Sequence, residues 1–368
     1  MTITLAFCTD AAVFQQNKIL DENVARLYPG ALWVTRLAQS AEGRGIKTVT
    51  GDVAISLIRS GSLKPSDVMV LQEEDSSHGF ELTRLGAQPL VVTCFESPLY
   101  ARNFYSRLPE ITAIFRNSVL FRGAFDLIPS SANNHILHFP SFGVETVHEI
   151  IPWSQRKFMV MVAANKYWKP RRAAARRLLA WIRDTVRGRK LPVSKVLIEQ
   201  QLHDKRLSVI EYFGRIGAMD LYGPYWGDIG NLPTEGKKRL EGIISSLRPS
   251  ECPDKRETSS GYKFSVCFEN VSYPGYVTEK IIDCFKAGVI PIYLGAPDIA
   301  DFIPRDTFID FRGFANMDDL DGHLRSISQD IAMGMVNAGQ SFLQSKAGRE
   351  YSYEGFAENV MQMATGDR

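Results

Sequence analysis

Short apolar, β-branched runs alternate with helix-period stretches through the first 150 residues of the chain. The runs Ile3–Phe7, Lys47–Thr50, Asp67–Leu71, Pro89–Phe95, Ala113–Phe115 and His135–Phe139 read as strands. Between them, apolar positions recur at helical spacing near Ala31–Gln39, Val53–Arg59, Glu81–Leu85 and Leu99–Leu108. Apolar strand, amphipathic helix, apolar strand is the pattern of a doubly wound parallel sheet. A second cycle opens at Lys157–Ala164, predicts a long helix over Arg171–Val186, and continues through strands at Ala218–Tyr222, Lys263–Phe268, Val289–Leu294 and Thr307–Asp310. Pro152 and Ser154 mark the segment between His148 and Gln155 as a linker, and a charged stretch over Glu235–Thr258 reads as a surface helix plus loop. These patterns predict two Rossmann-like α/β domains facing a cleft: residues 1–152, residues 153–345, and a last helix within 346–368 crossing back to the first domain.

Length and composition agree. At about 150 residues per domain, 368 residues favour two domains. Hydrophobic residues at 45% and charged residues at 23% exclude a disordered chain. The charge balance of 43 basic against 41 acidic residues argues against a chain built as a whole to bind nucleic acid. Five dispersed cysteines without a CxxC pair exclude a zinc ribbon and favour a reducing compartment. The N-terminus has no basic residue before Lys18, and no run reaches 18 consecutive apolar residues. A cytoplasmic protein is therefore expected.

The chemistry is densest over Phe264–Leu294. FSVCF reads as a buried strand with Glu269 and Asn270 at its C-terminal end, Pro274 and Gly275 supply a turn, and VTEKIIDCFKAG reads as a helix capped by Gly288. In such a βαβ unit, ligands bind beyond the carboxyl ends of the strands. Lys280 falls in the first helical turn, where a cation opposes the helix dipole. A phosphate on that helix end would explain it, and so would a solvated lysine paired with a surface acid.

The run FENVSYPGYVTEKIIDCFKAGVIPIYLGAP resembles the signature of glycosyltransferase family 10, the α1,3-fucosyltransferase family: FEN, a short loop, YVTEK, a helix, and a strand ending in Gly with Pro nearby. The resemblance implies a GT-B fold and an inverting enzyme that uses GDP-fucose as donor; with two cations, Arg171 and Lys280, on the diphosphate and no DxD motif in a convincing context, no cofactor and no metal are expected. It implies that Lys280 holds the donor diphosphate, that Glu279 meets the ribose, and that Asn270 and Tyr276 line the donor pocket. AANKYWKPRRAAARRLLAWI resembles the family's strand–loop–helix that brings an arginine to the diphosphate, which places that role on Arg171, with Arg172 as the other candidate. An arginine fork suits phosphate oxygens. LYGPYW adds Tyr222 and Gly223 as candidate donor contacts or as a plain strand-end turn. In LVVTCFESP, Glu96 stands where the family has its general base; on residue chemistry alone it could equally cap a helix starting at Pro98.

The implied partners are GDP-fucose and an oligosaccharide or lipid-linked glycan acceptor. Lys166–Lys190 holds ten basic residues against Asp184, with Leu178, Leu179, Trp181 and Ile182 interleaved. That tract reads first as the solvated outer face of a helix, and second as a peripheral contact with the anionic inner face of a membrane. His135 and His138 lack an acidic third partner for a metal, and Glu73, Glu74 and Asp75 read as a solvated loop. Two rival functions stand beside the main one: a GT-B enzyme using another nucleotide sugar, and a non-catalytic polyanion binder.

Overall fold

The computed structural model describes residues 3–129, 133–143, 151–165 and 201–366, apart from 228, 233, 248 and 253. The chain divides into two compact units, Met1–Glu145 together with Lys346–Arg368, and Thr146–Ser345.

The first unit is built on six parallel strands, β1 (Thr4–Cys8), β2 (Lys47–Thr50), β3 (Val68–Glu73), β4 (Gln88–Thr93), β5 (Asn117–Leu120) and β6 (Asn133–Ile136), in the order β2-β1-β3-β4-β5-β6. Buried apolar residues dominate β1, β3 and β4, as a sheet covered on both faces requires. Strand order reverses between β1 and β3, so a crevice opens beyond their carboxyl ends. The C-terminal helix Tyr353–Thr365 packs on Leu32–Glu42 of this same unit. Phe356 meets Trp33 edge-on at 5.0 Å and Phe95 at 5.6 Å. Polar contacts fix the register: Arg36 Nε donates to Glu354 at 3.0 Å, and Asn117 Nδ2 donates to the Met363 carbonyl at 3.2 Å.

The second unit repeats the plan with β7 (Lys157–Val162), β8 (Met219–Tyr222), β9 (Tyr262–Phe268), β10 (Ile290–Leu294) and β11 (Ile309–Asp310), all parallel in the order β11-β10-β9-β7-β8. Its order reverses between β7 and β9. Helices Glu279–Ala287, His203–Arg215, Met317–Ser326 and Gln329–Gln344 supply its layers.

Several local expectations change. Ala113–Phe115 is not a strand: the helix Leu108–Ile114 buries Leu108 and Ile111, and the strand begins three residues later at Asn117. The helix expected from Leu99 gives way to a turn, with Tyr100 and Ala101 N–H donating to the Ser97 carbonyl, before a short helix at Arg102–Ser106. Glu235–Thr258 holds parts of three short helices, Thr234–Leu240, Ile243–Leu247 and Lys255–Ser260. The helix expected over Arg171–Val186 lies outside the described residues. Among the described residues no helix is long and apolar enough to cross a membrane.

Candidate functional site

The C-terminal end of β9 delivers Glu269 into the interior, with no exposed surface. The loop turns at Gly275, whose φ of 72° suits glycine and whose N–H donates to Asp298 at 2.8 Å. The helix Glu279–Ala287 then starts from Thr278, buries Ile281, Ile282 and Phe285 along one stripe, and stops at Gly288 in the left-handed region. Glu269 spans the gap between strand end and helix start. Its Oε1 accepts from the Thr278 N–H at 2.9 Å, doing from a distance what an N-cap side chain does locally. The Thr278 hydroxyl lies 2.9 Å from both carboxylate oxygens.

Lys280 closes the cluster. Its ammonium donates to Glu269 Oε2 at 2.8 Å and to Thr278 Oγ1 at 2.7 Å, with Glu279 Oε1 farther off at 3.4 Å. Its partner is thus a fully buried acid rather than a surface one, while a quarter of the lysine side chain stays open to solvent. Burial works against its charge, but Glu269 and Glu279 hold the Lys280 pKa well above the ordinary lysine value. Burial likewise opposes ionisation of Glu279, yet Lys280 and Lys255 bring its carboxyl down to about 2. Lys280 thus sits between two carboxyl side chains, Glu269 and Glu279.

The other candidates fall around the same carboxyl edge of this unit. Asn270 follows Glu269, and its Oδ1 accepts from buried Arg206 at 3.1 Å. Tyr276 is almost wholly buried at 2% exposure, within electrostatic reach of Lys280. Gly223 has φ 121°, and a Cβ there would meet the Ala163 carbonyl oxygen at 2.3 Å; only glycine lets this loop cross the end of β7. Tyr222 points elsewhere: its hydroxyl lies 3.2 Å from that of Tyr262, which donates to Asp220 at 2.5 Å. Arg171 lies outside the described residues, as does nearly all of Lys166–Lys190. Glu269, Thr278 and Arg206 went unassigned in the sequence; the one local signal was an acid at the end of a buried strand.

At the carboxyl edge of the first unit, Glu96 is exposed just beyond β4, and its carbonyl accepts from the Tyr105 hydroxyl at 3.1 Å. The nearest helix begins at Arg102, so Glu96 does not cap a helix starting at Pro98. Glu73 and Glu74 at the end of β3 lie within electrostatic reach of it. Burial first, then Glu73, Glu96 and Asp75, push the Glu74 carboxyl up to about 7, so this edge takes up a proton near neutrality. A hollow of about 350 Å³ there is lined by Thr9, Asp10, Phe14, Glu73, Glu74 and Ser76, among others. Among the described residues no three His, Cys, Asp or Glu side chains are grouped to hold a metal ion.

Residues 188–335 match the family model described as glycosyltransferase family 10 (fucosyltransferase), C-terminal part. The α-(1,3)-fucosyltransferase FucT of Helicobacter pylori is 35% identical over 114 residues, 31% of this chain and 24% of that protein. The matched segments span about a quarter or less of these curated relatives. Across the whole chain, the crystal structure of an α1,3-fucosyltransferase with GDP aligns over 91% of its own length, with a TM-score of 0.52 and 14% identity. That of HepE from Anabaena with UDP and glucose aligns over 99% of this chain and 100% of its own, at 0.58 and 8%. At such identities the likeness establishes the fold, GT-B, with two parallel α/β units. Residues 188–335, which carry the FEN and YVTEK segments joined at one strand end, are thus similar to the C-terminal part of glycosyltransferase family 10, the fucosyltransferase family.

Proposed function

We propose that the chain is an inverting fucosyltransferase that moves L-fucose from GDP-fucose to a hydroxyl of a glycan acceptor, of the α1,3 type. The observation that carries this reading is Lys280, held as a cation at a helix mouth beside the strand-order reversal, inside the segment that matches the family. Lys280 and Arg171 bind the donor diphosphate and stabilise the charge that grows on it as the glycosidic bond breaks. Lys280 is already shared between Glu269 and Glu279, so a second cation on the diphosphate is needed. The basic tract containing Arg171 is its natural source. Glu279 hydrogen-bonds the ribose, and Asn270 and Tyr276 shape the donor pocket. Glu96 takes the proton of the acceptor hydroxyl as that oxygen attacks the anomeric carbon from the face opposite the diphosphate. Two cations on the diphosphate make a divalent metal unnecessary. The acceptor is an oligosaccharide or a lipid-linked saccharide.

Transfer of labelled fucose from GDP-fucose across a glycan array tests this, with GDP-mannose and UDP-sugars as competing donors. Turnover with GDP-fucose and a product of inverted configuration at the anomeric carbon are expected. Turnover with a different nucleotide sugar alone would overturn the donor assignment.

A further inference from the structure

We propose that Glu269 is a positioning residue for the donor diphosphate: its buried carboxylate, with the Thr278 hydroxyl, holds the Lys280 ammonium at the helix mouth and leaves one N–H exchangeable for a phosphate oxygen. The inference rests on the fucosyltransferase reading and extends it to a residue outside the donor contacts.

An ammonium has three N–H donors. Two of those of Lys280 end on short bonds at 2.8 and 2.7 Å to acceptors that belong to fully or nearly fully buried residues. The third faces the Glu279 carboxylate at 3.4 Å, on a side chain that is 32% exposed. That long contact is the one a phosphate oxygen can replace, freeing Glu279 to meet a ribose hydroxyl. A complete carboxylate has a specific use here. Capping the Thr278 N–H requires only a neutral oxygen, as serine or asparagine supplies at many helix starts. Burying a formal charge for that purpose is costly unless it is paired with another. Glu269 is paired, and its partner is the cation that the helix dipole disfavours in a first turn.

The groups facing Lys280 are Glu269 from the strand end, Tyr276 from the loop, and Glu279 and, one turn on, Asp283 from its own helix. Lys255, from the packed helix Lys255–Ser260, acts on Glu279 and Asp283. Glu269 is the member of this set that both touches the ammonium and is closed to solvent.

The test is a double-mutant cycle read by GDP calorimetry and thermal melting, on wild type, E269Q, E269D, K280M and E269Q/K280M. E269Q and K280M should each weaken GDP binding about tenfold or more. The double variant should bind no worse than K280M, because Glu269 acts through the lysine. E269Q/K280M should also melt above K280M, since it no longer buries an unpaired carboxylate. E269D keeps the charge and should retain more affinity than E269Q. If E269Q does not fold, E269D and the double variant still decide between the outcomes. Losses that add in the double variant, or an E269Q that binds GDP as wild type does while K280M does not, would overturn the positioning role alone. A wild-type chain with no GDP affinity would overturn the fucosyltransferase reading and this inference together.

Discussion

Gly295→Ala tests how tightly the fold grips the site. Gly295 follows β10, and a Cβ there would stand 2.4 Å from Tyr293 Oη and 2.5 Å from Glu269 Cγ. Both neighbours are fully buried, so neither has a free direction to retreat. Tyr293 accepts from the Ala296 N–H at 3.0 Å and stacks edge-on against Phe308 at 5.8 Å. Glu269 is tied to Thr278 and Lys280. Overpacking a filled interior by one methyl costs about 1–3 kcal/mol. Straining a buried hydrogen bond of Tyr293 or Glu269 adds about 1 kcal/mol more. A total of about 2–4 kcal/mol should lower the melting temperature by roughly 4–16 °C for a unit of this size. Because Glu269 moves with the new methyl, GDP affinity should fall even at temperatures well below the transition. Calorimetric melting and a GDP titration at low temperature measure the two effects separately. A Gly295→Ala protein that melts within about 2 °C of wild type and binds GDP equally would refute the reasoning.

Glu96→Gln should keep GDP affinity within about twofold and lose about 10²–10⁴ in transfer rate at saturating substrates; more than about a tenth of wild-type turnover would remove Glu96 as the base. Transfer should survive EDTA, and a loss restored by Mg²⁺ or Mn²⁺ would show that a metal takes part. Gly223→Ala should destabilise by about 1–3 kcal/mol through its positive φ alone, and by more through the clash with the Ala163 carbonyl; an unshifted thermal melt would contradict the close approach. Glu74→Gln should stabilise the protein in a pH-dependent way. The folded carboxyl titrates near 7 against an ordinary value of 4.5, so its charge weakens the fold above about pH 7 and not below about 4.5. The mutant's advantage should therefore be absent near pH 4 and grow to at most about 3 kcal/mol by pH 8. Melting curves across that range check it, and a constant offset would rule out the titration.

Continuous apolar runs made β1, β3, β4, β7, β9 and β10 legible from the sequence, because strands buried on both faces must be apolar throughout. The helix Glu279–Ala287 was legible too, since its apolar spacing and Gly288 stop are local properties. Other elements depend on partners distant in the chain. β5 reads NSVL, with Asn117 and Ser118 buried, and Asn117 is satisfied there by carbonyls of Leu90 and Met363. The helix His203–Arg215 is not legible in the sequence because it buries His203 and Arg206, which blur its apolar stripe. Met317–Ser326 presents few apolar positions and takes shape against the core it covers. For the site, FEN and YVTEK pointed to phosphate chemistry at Lys280 only through their resemblance to a family motif; spacing alone left a surface-paired lysine as the simpler reading. The sequence did not show that Lys280 faces Glu269, eleven positions upstream, across a closed loop. Local spacing governs which residues share a helix face. The pairing of a buried carboxylate with a cation depends on distance and exclusion of water, which only the assembled sheet and helix set.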